Sequence, residues 1–228
     1  MIVVVAGMYR SGSTFSFNIV REILDARGGA TSFSSDSLDS AFLGTVRTTH
    51  VVLKSHTPDN SCIERIRSGT ALCICTYRKP EHAIASWSTA FGVDIDKSLD
   101  IVRQWLTRHR SIAMHAMNVN YENLDAAPLD VILDIQRYML QVCDLQEAVR
   151  LRNKYDKEKI KNEYDCLQES ERTTNIGFSY YDTTTFFHRR HVTSLGARAA
   201  HERMSDADIA RIRYALRDFV DAHGDYKP

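Results

Sequence analysis

Three short groups of polar residues each follow an apolar run, and each contains side chains that bind phosphate or move protons. The first is a loop at residues 7–14 with two glycines, an arginine and several hydroxyl groups. The second is the Lys-Ser-His triplet at residues 54–56, and the third runs from Arg78 to Ser86. Cations, hydroxyls and an imidazole are the groups that bind and transfer a small anion.

The loop at residues 7–14 reads GMYRSGST and lies between the apolar run IVVVA and a segment with apolar residues at helical spacing. A glycine loop between a strand and a helix directs backbone N–H groups toward one point, which makes a binding site for phosphate. The version that binds nucleoside triphosphates has a lysine before its final Ser or Thr. Ser13 occupies that position here, which argues against an ATP or GTP hydrolase.

The other two groups stand at the predicted ends of strands. Lys54 and His56 are two residues apart, so on an extended chain both side chains point to the same face. An imidazole, with a reference pKa of about 6.5, suits a general base near neutral pH. Arg78 leaves a strand tip and Ser86 lies in the following predicted helix, so the two can converge on one phosphate group.

Together the three groups resemble the sulfotransferases that use 3′-phosphoadenosine 5′-phosphosulfate (PAPS) as sulfuryl donor. Residues 10–15, RSGSTF, are similar to the 5′-phosphosulfate loop of that family, and residues 78–86 are similar to its 3′-phosphate strand-turn-helix. The triplet at residues 54–56 resembles the K-x-H pair at the catalytic centre of many members. The resemblance therefore covers both ends of the donor and the reacting centre.

Weaker similarities extend further along the chain. Residues 121–124, YENL, resemble the Y-E-D-L turn whose tyrosine lies beside the adenine, and Phe15 replaces the usual adenine-stacking tryptophan. Residues 189–196, RRHVTSLG, resemble the basic segment that closes over the 3′-phosphate, but no glycine directly follows the basic pair. Whether Arg189 or Arg190 makes that contact stays open.

The resemblance implies a role for each of these residues. His56 takes the proton of the acceptor, Lys54 contacts the sulfonate or the bridging oxygen, and Arg10 stabilises charge on the leaving oxygen. The expected reaction is an in-line, metal-free transfer to a hydroxyl or amine of a small-molecule acceptor. The residues expected to bind PAPS, or its product adenosine 3′,5′-bisphosphate (PAP), are Arg10, Ser11, Gly12, Ser13, Thr14, Phe15, Arg78, Ser86, Tyr121, Arg189, Arg190, His191 and Ser194.

Apolar runs and helical periodicity indicate the elements that must position these residues. The predicted strands are residues 2–6, 50–53, 70–76 and, more weakly, 117–121. The predicted helices are residues 12–26, 81–89 and 98–113, one that begins at Pro128, and one capped by Ser205. The expected fold is an α/β, P-loop-type three-layer fold, with a central, mainly parallel sheet flanked by helices, and ligands bind at the carboxyl ends of such strands.

Two segments depart from this pattern, and residues 31–49, 91–97 and 154–187 are expected to select the acceptor. Residues 31–49 are rich in Ser and Thr with little periodicity, which predicts a loop near the ligand. Residues 154–172 carry dense charges of both signs, which is typical of a solvated helix and sometimes of a lid. No repeat or Gly/Pro linker divides the chain, so one domain over residues 1–228 is expected.

The composition excludes several other classes of protein. Among 228 residues, 29 are Lys or Arg and 29 are Asp or Glu, so there is no net charge to attract nucleic acid or an anionic membrane. The apolar stretch at residues 2–6 is far shorter than the roughly 20 residues of a membrane span. Five cysteines without a CxxC pair, mostly in apolar segments, suit reduced thiols, so a cytoplasmic location is expected.

Two alternatives to sulfuryl transfer fit part of the sequence. A small-molecule or nucleotide kinase with a degenerate P-loop would share the fold but needs the missing lysine. A catalytically silent nucleotide-binding protein would keep Arg78 and the loop but would need neither Lys54 nor His56. The sequence does not indicate which acceptor is used or whether the chain forms oligomers.

Overall fold

Five parallel strands form the central sheet of the computed structural model, which describes residues 1–39, 43–44, 46–175, 180–192, 200 and 202–222. The strands are β1 (Ile2–Ala6), β2 (Ala30–Ser34), β3 (His50–Ser55), β4 (Leu72–Tyr77) and β5 (Met117–Asn120). Their order is β2-β3-β1-β4-β5, and all four pairings are parallel. The predicted parallel α/β sheet is therefore confirmed.

Ten helices lie within the described residues and surround this sheet. They are α1 (Ser13–Asp25), α2 (Asn60–Arg67), α3 (Pro80–Phe91), α4 (Ile95–Ile112), α5 (Tyr121–Ala126), α6 (Pro128–Leu140), α7 (Leu145–Lys154), α8 (Lys157–Tyr164), α9 (Asp206–Ala215) and α10 (Arg217–Ala222). A short antiparallel pair, β6 (Thr173–Asn175) and β7 (Tyr180–Asp182), precedes the C-terminal helices. None of the helices in the described part of the chain is long and apolar enough to cross a membrane.

Each face of the sheet has its own apolar core, because successive residues of a strand point to opposite faces. Val3 and Val5 pack with α1 and with α6 to α8 on one face. Val4 and Ala6 pack with α2, α4 and the C-terminal helices on the other. A strand buried on both faces can be β-branched throughout, so the run at residues 2–6 becomes the central strand.

Two features differ from the sequence-based expectations, and a third, the burial of most of the cysteines, agrees with them. Part of the segment 31–49 is strand β2 rather than loop: as an edge strand it has one partner and a solvent side, so it tolerates polar residues and shows little periodicity. The predicted C-terminal helix is divided near Leu216, although Ser205 caps its start as expected. Cys143 and Cys166 are exposed, whereas the other three cysteines are buried.

Candidate active site

The glycine loop after β1 is tied to the two neighbouring strands, and this brings all three polar groups together. The N–H of Gly7 donates to the Ser55 carbonyl at 3.2 Å, and the N–H of Met8 donates to the Thr76 carbonyl at 2.8 Å. Gly12 has a φ of 84° at the start of α1, and a Cβ there would lie 2.5 Å from Leu124 Cδ2. The loop therefore requires glycine at this position for both conformation and space.

One cavity of about 490 Å³ opens beside this loop. Of the residues expected at the site, those that line the cavity are Arg10, Gly12, Ser13, Thr14, Phe15, Lys54, His56, Arg78, Ser86, Tyr121 and His191. Its walls carry five Lys or Arg side chains and two carboxylates, Asp125 and Asp156. A chain without net charge thus concentrates positive charge where an anion would bind.

Arg10, Arg78 and Ser86 converge at one end of the loop. Arg10 Nε donates to Ser86 Oγ at 3.0 Å, and Arg78 Nη1 donates to the Arg10 carbonyl at 3.3 Å. Burial and the nearby charge of Arg78 lower the pKa of Arg10 to about 10. Two guanidinium groups this close repel each other, so an anion bound between them is favoured.

Lys54 and His56 extend into the cavity from the end of β3, as the two-residue spacing predicted. His56 Nδ1 lies 2.6 Å from the Gly7 carbonyl oxygen, which can only accept, so Nδ1 carries the hydrogen. The ammonium of Lys54 donates to His56 Nε2 at 3.0 Å. Burial and the charge of Lys54 hold the pKa of His56 well below its usual 6.5, and burial lowers that of Lys54 to about 8.

Asp36 supports Lys54 and His56 through hydrogen bonds to the residues next to His56, and no sequence motif indicated this role. Its carboxylate accepts from Ser55 Oγ at 2.7 Å and from Thr57 Oγ1 at 2.8 Å, the residues on either side of His56. The same negative charge partly offsets the lowering of the Lys54 pKa by burial. Asp36 follows the edge strand β2 and is distant from His56 in sequence, so no local pattern indicates the contact.

The other end of the cavity suits an adenine base. The ring of Phe15 and the ring of Tyr121 both line it, and the Arg78 guanidinium lies 4.1 Å from the Tyr121 ring centroid. Lys157 from α8 lies over the same tyrosine ring at 5.5 Å and pairs with Asp125. Part of the charged segment 154–172 therefore forms a wall of the cavity rather than only a solvated surface.

A set of rings lines the cavity beside His56, and of these rings only Phe91 lies in a segment expected to select the acceptor. The set consists of Tyr9, Trp87, Phe91 and His188. Tyr9 stacks on His56 with 3.8 Å between ring centroids, and Trp87 contacts Tyr9 edge-on at 4.5 Å. Single aromatic residues are common in cores, so only their position around one cavity distinguishes them.

Several residues expected at the site lie elsewhere. The hydroxyl of Ser11 is fully buried and bonds to the Met8 carbonyl and Thr76 Oγ1, both at 2.6 Å, so its side chain faces the core. Arg189 is exposed outside the cavity, and Arg190 donates to the Ala90 carbonyl at 3.2 Å. Ser194 lies outside the described residues. The described part of residues 31–49 does not line the cavity either.

No protein-family model and no curated protein matches the chain in sequence. Solved structures do resemble it in three dimensions. The crystal structure of mouse sulfotransferase SULT7A1 complexed with PAP aligns with a TM-score of 0.71 and 11% identity, over 98% of this chain and 84% of that one.

Retinol dehydratase is also similar. Its complex with retinol and PAP has a TM-score of 0.65 and 13% identity, over 96% of this chain and 81% of that one. Its complex with androsterone and the inactive cofactor PAP has a TM-score of 0.64 and 14% identity, over 96% of this chain and 80% of that one. The chain therefore has the fold of the PAPS-dependent sulfotransferases.

Proposed function

We propose that this protein transfers a sulfuryl group from PAPS to a hydroxyl or amine of a small-molecule acceptor. The observation that best supports the proposal is that Lys54, His56, Arg10 and Arg78 line one cavity beside a glycine loop. The structural neighbours crystallised with PAP support the same donor.

The residues of the cavity fit both ends of this donor. Backbone amides of the loop and the start of α1 suit the 5′-phosphosulfate, and the Arg78 guanidinium with the Ser86 hydroxyl suits the 3′-phosphate. The rings of Phe15 and Tyr121 offer apolar faces to an adenine. An anionic nucleotide would also relieve the repulsion that lowers the pKa of Arg10.

PAPS supplies the sulfuryl group, and the side chains of the site handle the proton and the charge. His56 Nε2 accepts the proton of the acceptor hydroxyl, because its Nδ1 hydrogen is held by the Gly7 carbonyl. Lys54 must first leave Nε2, and a new contact of its ammonium with an anionic oxygen would release the base. Arg10 stabilises negative charge on the leaving oxygen.

The test is incubation of the purified protein with PAPS labelled in its sulfuryl group and a panel of phenols, alcohols and amines. We expect label on an acceptor without added Mg²⁺, and none from labelled ATP. Phosphate transfer from ATP with Mg²⁺ would instead identify a kinase. Binding of PAP without transfer to any acceptor class would identify a nucleotide-binding protein.

A further inference from the structure

Six rings form a continuous chain of contacts around the end of the cavity that holds His56, called here the aromatic end. They are Tyr9, His56, Trp87, Phe91, His188 and His191, and all six line the cavity. Beyond the contacts of Tyr9, the ring centroids are 5.0 Å apart for Trp87 and Phe91, 5.4 Å for Phe91 and His188, and 4.5 Å for the two histidines. Such walls accommodate a flat, apolar body.

His188 presents an open hydrogen-bond acceptor at this end. Its Nδ1 lies 2.5 Å from the Arg189 carbonyl oxygen, so Nδ1 carries the hydrogen and the lone pair is on Nε2. Within the described residues, Nε2 of His188 has no hydrogen-bond partner. Burial and the charges of Arg10 and Lys54 lower the pKa of His188 to about 4, so the ring is neutral at physiological pH.

Several other acceptor atoms of the cavity wall are already engaged. Lys54 donates to His56 Nε2 at 3.0 Å. Asp125 pairs with Lys157, and Asp156 caps α8 through the N–H groups of Glu158 and Lys159. A second polar hydrogen on a bound ring therefore has His188 Nε2 as an open partner at the aromatic end, next to His191, whose buried Nδ1 has no hydrogen-bond partner among the described residues.

We propose that His188 binds the acceptor substrate, an inference that rests on the proposed sulfuryl transfer. Its Nε2 accepts a hydrogen bond from a second donor group of the acceptor, while His56 faces the hydroxyl that reacts. The acceptor class is a flat ring that carries two hydroxyl or N–H groups. A ring with one donor group binds to the same walls without this hydrogen bond.

The test measures binding of 2-naphthol, 2,3-dihydroxynaphthalene and 2,7-dihydroxynaphthalene by calorimetry, with PAP present so that no transfer takes place. The second hydroxyl lies next to the first in 2,3-dihydroxynaphthalene and far from it, on the other ring, in 2,7-dihydroxynaphthalene. We expect the wild-type protein to bind at least one diol roughly three- to tenfold more tightly than 2-naphthol, the range of one neutral hydrogen bond.

Two variants at His188 separate recognition from packing. His188→Leu should bind the diol no better than 2-naphthol, with 2-naphthol affinity within about twofold of wild type. His188→Gln, which can offer an oxygen near the position of Nε2, should retain the preference. His115→Leu, at an exposed histidine outside the cavity, is the matched control and should change neither affinity.

Equal binding of the three probes by the wild type, or a diol preference that survives His188→Leu, would overturn the inference. A separate titration with PAP alone tests the proposed function. PAP binding without a preference dependent on His188 refutes this inference only. A preference dependent on His188 without PAP binding or sulfuryl transfer refutes the proposed function only.

Discussion

His56 is held in the state that a general base requires. Its Nδ1 hydrogen bonds to a backbone carbonyl, and burial together with the Lys54 charge keeps its pKa well below 6.5, so the ring is neutral throughout the neutral range. Its Nε2 is occupied by Lys54 rather than open. His56 and Lys54 are thus coupled, and in the proposed mechanism the Lys54 ammonium must move before His56 can act as a base.

His56→Ala should separate catalysis from donor binding. We expect kcat to fall by about 10²- to 10⁴-fold, the usual contribution of a general base. The affinity for PAP should stay within about twofold, because His56 faces the acceptor rather than the nucleotide. Steady-state kinetics with one acceptor and calorimetry with PAP give the two values.

A wild-type rate in His56→Ala from pH 6 to 8 would contradict this assignment. Three carboxylates near the site in sequence, Glu81, Asp94 and Glu122, would be the next candidates, but none of them lines the cavity. Glu81, for example, accepts from Arg213 at 2.7 Å on the far side of α3. The search for another base would then turn to His188, which does line it.

The protonation of Lys54 should set the alkaline limit of activity. Its pKa is lowered to about 8, so the free enzyme loses this cation as the pH rises through 8. We expect kcat/KM for PAPS to fall above pH 8 and to show no acid limb near 6.5, because His56 titrates well below that value. Lys54→Arg, which stays charged, should remove the alkaline decline even if its plateau is lower.

At the scale of elements, the site forms where the ends of β1, β3 and β4 meet the segment that follows the edge strand β2. Registers such as Ala6 opposite Ser55 place the ends of β1 and β3 side by side, and β4 delivers Arg78 next to them. Asp36, which follows β2, then bonds to Ser55 and Thr57. The segment after the edge strand therefore supports Lys54 and His56, the pair that we propose to be catalytic.

Asp36→Asn tests this support. Loss of the negative charge should lower the pKa of Lys54 further, so the alkaline decline of kcat/KM should begin at a lower pH than in wild type. We expect kcat to fall by about tenfold, with PAP affinity nearly unchanged, because Asp36 does not line the cavity. A pH profile of each variant is the measurement.

Asp100→Asn is the control for that experiment. Asp100 is an exposed carboxylate on α4 that pairs with Arg103, far from the cavity lining. Its loss should leave the pH profile unchanged. An Asp36→Asn profile that coincides with wild type would show that Asp36 does not control Lys54.

At the scale of the whole molecule, positive charge is concentrated rather than abundant. Equal numbers of acidic and basic residues give no net charge, yet five cations and two carboxylates face one cavity. Elsewhere in the described residues, charges of opposite sign form ion pairs, as Lys154 and Arg150 do with Glu22. We therefore expect small anions to bind in this cavity.

PAP should stabilise the protein more than AMP, since Arg78 and Ser86 are positioned to bind a 3′-phosphate. At 100 times its Kd, a ligand adds roughly 2.7 kcal/mol to the free energy of unfolding, or about 5 to 10 °C in Tm at this size. Arg78→Ala should weaken PAP binding by about 1.5 to 3 kcal/mol and leave AMP binding less affected. Thermal shift and calorimetry would measure both, and equal shifts with PAP and AMP would refute the 3′-phosphate assignment.

Local patterns in the sequence predicted the features that depend on residues close together along the chain. The β-branched run before Gly7 predicts a central strand because few other structures bury both of its faces. The two-residue spacing of Lys54 and His56 predicts a shared face, and Gly12 predicts a turn before a helix. These patterns were sufficient for the sheet, the loop and most of the predicted site residues that line the cavity.

Contacts between residues far apart along the chain became visible only in the folded structure. Only the packed fold turns the Ser11 hydroxyl toward Thr76, joins Arg10 to Ser86, and brings Asp36 behind Lys54. It also makes an edge strand of a segment without clear periodicity and places His188 in the same cavity as Lys54 and His56. Such contacts follow from strand order and register, which no local run of residues encodes.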